Sequence, residues 1–107
     1  MNTEVLKNYI NGKWVNSSSQ LTVDVLNPAN QQVIGKVPVG RETARDVSDA
    51  SASASIAFQE WKKVPVMKRV QVLYQLKSLF EQHKDEIAKI ITNESGKTKD
   101  ESFGEIQ

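Results

Sequence analysis

Three consecutive residues have the types and order for chemistry: Gly96-Lys97-Thr98 is the closing triplet of a phosphate-binding loop. Such a loop needs an earlier glycine, five positions before the second, so that backbone N–H groups can wrap the phosphates. Ile91 occupies that position, and the preceding Ile87-Ala88-Lys89-Ile90 carry a helical pattern where a strand is required. Both requirements fail. The remaining candidates are sparse. His83 is the one histidine, and there is no cysteine. A chain without cysteine has no thiol nucleophile, disulfide or thiolate metal site, and one histidine is too few for a histidine-based zinc centre. His83 lies at the edge of an apolar helical stripe and reads as a packed or half-exposed surface residue. No catalytic, cofactor-binding or metal-ligating residue is assigned.

Composition narrows the partners. The 107 residues include fourteen basic and thirteen acidic side chains, for a net charge of +1. The two signs are interleaved, so no nucleic acid and no anionic membrane surface is expected as a partner. Residues Met1 to Asn8 contain Glu4 and Lys7 and no long apolar run, so no signal peptide is read there. No segment reaches membrane-spanning length, and the expected location is cytoplasmic. A chain this short supports one modest core.

The elements that would position any site fall into two halves, strands and turns over residues 1–40 and helices over 41–107. Tyr9-Ile10, Asn11-Gly12 and Lys13-Trp14-Val15 read as a hairpin, because Asn-Gly accepts the positive φ angles of a type I′ turn. Leu21 to Val25 alternates with period two, and Gln32 to Val37 reads as another strand closed by Pro38 and Gly40. After Gly40 the period becomes helical. Thr43 with Asp46 resembles a capping box, followed by Val47, Ala50, Ala54, Ala57, Phe58 and Trp61 at helical spacing. Pro65 suits the first turn of a second helix. Val66, Val70, Leu73, Leu76, Phe80, Ile87 and Ile91 then form one long stripe, read as core-facing. The expectation is an α+β fold, with N-terminal strands and three helices over roughly residues 44–61, 65–94 and 99–107.

The opening triplet now has a plainer use. Gly96 fits the left-handed position that ends a helix, and Thr98 with Glu101 is a capping box that opens the next. Glu94, Gly96 and Lys97 therefore read as a structural joint. The third helix begins a new apolar stripe with Phe103 and Ile106 and stops at Gln107. Such a helix is expected to continue in a longer chain. Self-association through exposed helix faces, burying Leu73, Phe80, Phe103 or Ile106, is expected of the chain alone.

Several landmarks occur together in a familiar order: Tyr9-Ile10-Asn11-Gly12-Lys13-Trp14, Asn27-Pro28-Ala29, Val33-Ile34-Gly35, Ala57-Phe58, Trp61, Arg69 and Glu94-Ser95-Gly96-Lys97-Thr98. Over essentially its whole length the chain resembles the N-terminal part of an aldehyde dehydrogenase, within the NAD-binding domain of that fold. Asn30 departs from the threonine frequent in this turn. Val64-Pro65-Val66-Met67-Lys68-Arg69 and Asp100 to Ile106 are most similar to the coenzyme-A-acylating branch that acts on methylmalonate semialdehyde. The resemblance implies an intact, homo-oligomeric enzyme. Its cysteine would attack the aldehyde, NAD would take the hydride and coenzyme A the acyl group. Carbon dioxide and propionyl-CoA or acetyl-CoA would result. The resemblance places the nucleophile and cofactor strands downstream of Gln107, so neither activity nor bound cofactor is expected of these residues alone. Two alternatives stand beside this reading: a branch that releases a free acid, and a small self-contained α+β interaction module.

Overall fold

The computed structural model describes residues 4–107. Asn11 and Gly12 have φ of 53° and 76°, the left-handed pair of a type I′ turn. They join β1 (Asn8–Ile10) to β2 (Lys13–Val15). The strands are antiparallel, with Asn8 opposite Val15, Tyr9 opposite Trp14 and Ile10 opposite Lys13. The Tyr9 and Trp14 rings lie 4.9 Å apart and tilted by 56°, a cross-strand aromatic pair that reinforces the register.

β3 (Leu21–Leu26) and β4 (Val33–Val39) form a second two-stranded sheet. Lys36 and Asp24 pair across it at 2.8 Å. The segment before β1 also meets β4: Leu6 N–H donates to Lys36 O at 2.9 Å and Lys36 N–H to Glu4 O at 3.0 Å. Pro38 was expected to close β4 but lies inside it, since the strand runs on to Val39. Proline removes one donor without preventing an extended backbone, so a strand near its end tolerates it.

α1 spans Thr43–Trp61 and starts at the expected place by unexpected means. Its N-cap is Glu42, which makes no side-chain cap bond. The Thr43–Asp46 capping box does not form. Thr43 Oγ1 instead donates to Gly40 O at 2.6 Å, and Asp46 accepts from the Ser17 hydroxyl and the Ser18 N–H. Asp is one methylene shorter than the Glu of a standard box, and a fixed pair of donors from the serine loop satisfies it better than the helix start.

Two compact units result, one from residues 1–25 with 33–63 and the other from 26–32 with 64–107. The second contains α2 (Val66–Gln82), α3 (Lys84–Ser95) and α4 (Lys99–Ile106). The single helix expected over 65–94 is thus two, broken at His83, whose φ of −106° and ψ of 17° leave the helical region. Pro65 precedes α2 as its N-cap. Glu81 to Glu86 is a run of six polar residues with no apolar side chain to hold a turn against a neighbour. Asp85 and Glu86 fall in the first turn of α3, where carboxylates favour a helix start.

Packing in this unit centres on α3 against α4. Ala88 and Ser102 are fully buried, and Thr92 Oγ1 and Ser102 Oγ lie 2.9 Å apart. The long stripe behaves differently from its expected core-facing role. α2 has no buried residue, and Leu73, Leu76 and Phe80 are 61%, 47% and 43% exposed. Neither unit holds enough elements to cover the apolar faces of its own helices.

Candidate functional site

The joint between α3 and α4 holds the chain's one candidate motif, and its geometry tests the phosphate-binding idea directly. Gly96 adopts φ 75° and ψ 7° and donates its N–H to Thr92 O at 2.9 Å, closing α3 in the left-handed conformation. Lys97 N–H turns to Ser95 Oγ at 3.3 Å. Thr98 N–H reaches Glu101 Oε2 at 2.9 Å, and Glu101 N–H returns to Thr98 Oγ1 at 3.2 Å. This is a complete capping box. The N–H groups of Gly96, Lys97, Thr98 and Glu101 each already have a protein acceptor.

Charge completes the case. Lys97 Nζ is held by Glu105, and that hydrogen bond raises the ammonium above the usual lysine range. The same bond lowers the Glu105 carboxyl. The Thr98 N–H is the chief cause that lowers Glu101, with the Thr98 hydroxyl assisting. Two ionised carboxylates therefore flank the lysine, and an incoming phosphate would meet like charge. The joint does not fit a nucleotide phosphate, whether of ATP or of a dinucleotide.

The other sequence candidates disperse. Glu94 is exposed in the last turn of α3. The His83 side chain is 53% exposed, with Nδ1 3.6 Å from Glu86 Oε2, as a half-exposed surface residue should be. No cluster of three or more His, Cys, Asp or Glu side chains able to hold a metal occurs among the described residues. An open groove of about 510 Å³ runs beside α2 and α4, with Leu73, Leu76, Phe80 and Ile106 in its lining. The interaction that sequence reasoning missed is the clamp of Ser17 and Ser18 on Asp46, which pulls that carboxyl below the usual aspartate range through the Ser17 hydroxyl. Its only sequence signal was a serine run 28 or 29 residues upstream, too remote for a local rule.

Residues 14–107 match the model of the aldehyde dehydrogenase family. The chain belongs to that family. Malonate-semialdehyde dehydrogenase 1 of Geobacillus kaustophilus is 45% identical over 105 residues, which is 98% of this chain and 21% of that protein. Lactaldehyde dehydrogenase from Escherichia coli superposes with a TM-score of 0.90 at 29% identity, over 97% of this chain and 21% of the other. A proposed methylmalonate-semialdehyde dehydrogenase from Sinorhizobium meliloti 1021, solved with NAD, gives 0.87 at 30% identity over 97% and 21%. The chain thus spans about a fifth of the length of the family members it matches. Within the aldehyde dehydrogenase family, the Gly-Lys-Thr of this chain is a helix joint. No helix of the described residues is long and apolar enough to cross a membrane.

Proposed function

We propose that this chain is the N-terminal structural part of an NAD-dependent dehydrogenase acting on malonate or methylmalonate semialdehyde. The 45% identity to a malonate-semialdehyde dehydrogenase across 98% of the chain carries this reading. NAD would accept the hydride, and coenzyme A would accept the acyl group, giving acetyl-CoA or propionyl-CoA with loss of carbon dioxide. The chain's own contribution is to brace: the capped α3–α4 joint sets the direction of two helices, and no residue of it is assigned to substrate or cofactor.

The 107 residues contain no cysteine to form a thiohemiacetal. By itself the chain is expected to yield no NADH with malonate semialdehyde and coenzyme A. NADH formation above a heat-inactivated control would overturn the bracing role. For the complete enzyme, product analysis by mass spectrometry decides the acyl acceptor. An acyl-CoA supports the reading, whereas a free acid formed equally with and without coenzyme A moves the enzyme to another branch.

A further inference from the structure

The turn that joins β1 to β2 is also a reactive pair. Asn11 and Gly12 are both exposed, and a Cβ built on Gly12 would meet nothing within 4 Å. An asparagine side-chain amide is an electrophile, and the backbone nitrogen of the next residue is the nucleophile nearest to it. Glycine, with no side chain, leaves that nitrogen open. The other asparagines of the described residues are worse placed. Asn27 precedes Pro28, whose nitrogen carries no hydrogen to lose. Asn8 lies in β1 and Asn93 in α3, where regular backbone holds the next nitrogen in place. Asn16 and Asn30 precede Ser17 and Gln31, whose side chains crowd the approach.

We propose that Asn11 is a site of spontaneous deamidation, and that only one of its two products leaves the hairpin intact. The Gly12 nitrogen gives up its proton to base and bonds to the Asn11 side-chain carbonyl carbon. The bond from that carbon to the amide nitrogen breaks, and the nitrogen takes up a proton and leaves as ammonia. A succinimide ring remains. Water opens it at either carbonyl, giving aspartate by one route and isoaspartate by the other. Nothing is oxidised or reduced, and water is the one co-reactant.

Ring closure needs the turn to loosen, and this hairpin has little to hold it shut. Its strands have three residues each and β2 is exposed throughout, and an isolated two-stranded hairpin is marginal in water. The two products then differ in their backbone. Aspartate followed by glycine also suits a type I′ turn. Isoaspartate instead runs the main chain through the side chain and adds a methylene to the two-residue loop. Loop length sets the register of a hairpin. The pairing of Tyr9 with Trp14 and the 4.9 Å approach of their rings are therefore lost in that product. The inference does not depend on the proposed enzymatic activity.

Ageing the full chain at mildly alkaline pH tests both parts. Peptide mapping by mass spectrometry should show Asn11 converting severalfold faster than any other asparagine, and faster still as pH rises. Isoaspartyl methyltransferase should label the aged chain at this position. After the products are separated, nuclear Overhauser contacts between the Tyr9 and Trp14 rings should persist in the aspartate form and vanish in the isoaspartate form. Asn11→Asp, made directly, should keep those contacts as well. Conversion of Asn11 no faster than that of Asn16 or Asn30 would overturn the site. Ring contacts that survive in the isoaspartate form, or that Asn11→Asp loses, would overturn the structural difference between the products.

Discussion

Two helix starts in this chain carry the same short signal, a threonine with an acid three residues on, and they fold differently. At α4, Thr98 and Glu101 bond each other reciprocally. At α1, Thr43 and Asp46 make no such bonds; Thr43 reaches back to Gly40 and Asp46 is taken by Ser17 and Ser18. The difference lies in reach and competition. Glutamate at α4 reaches back to the cap N–H, while the shorter aspartate at α1 is taken by donors that the fold brings near. A capping signal is therefore decisive where the helix start has no competing donor. Otherwise it marks the position of a helix without predicting its bonds.

The largest break should come at the joint itself. A Cβ added at Gly96 would lie 3.0 Å from Pro28 Cγ, on a residue at φ +75°. Gly96→Val should cost about 3 kcal/mol, read as a lowered urea midpoint at unchanged slope. Next, Thr98→Ala should cost about 1 kcal/mol, the usual value of a lost threonine cap, and Thr43→Ala about half of that or less. Equal losses at the two positions would show that α1 is capped in solution as α4 is.

Asp46→Ala sharpens the contrast from the other side. It should leave helix content unchanged and speed hydrogen exchange at Ser18, whose N–H loses its acceptor. Faster exchange in the first turn of α1, with Ser18 unaffected, would mean that the carboxylate caps the helix after all. Acid should act on both starts. Glu101 and Asp46 have lowered values in the folded chain, so the stability they contribute is present above the unfolded values, about 4.3 and 3.9. It is lost as pH falls through the lower folded values. Thr98→Ala should flatten that acid limb, because the Thr98 hydroxyl is one of the groups that lower Glu101. The smallest effect belongs to Lys97→Ala. This exposed pair with Glu105 should shift the thermal midpoint by no more than measurement error, and saturable ATP binding lost in that variant would contradict the geometry of the joint.

Most of the chain's turns and ends were legible locally. Asn11-Gly12 could hardly serve except as a tight hairpin turn, Gly96 stands where a helix must stop, and Thr98 with Glu101 opens the next. Helix interiors were less so. Ile87 and Ile91 continue the phase of Val66, Leu73 and Phe80, so periodicity predicts one helix over 65–94. The break at His83 falls within six polar residues, Glu81 to Glu86, that periodicity simply skips.

By itself the sequence determined the succession of strands and then helices apart from the break at His83, the hairpin register and the α3–α4 joint, because each rests on φ preferences or on bonds within a few residues. The family resemblance was readable too, from motifs whose order chance does not reproduce. Tertiary structure decided what each side chain does. It sent Asp46 to a serine loop 28 residues away in sequence instead of to its own helix. It also buried Ala88 and Ser102 while leaving Leu73, Leu76 and Phe80 exposed. The reason is that spacing along a helix fixes which side chains share a face, whereas burial depends on whether another element lies against that face.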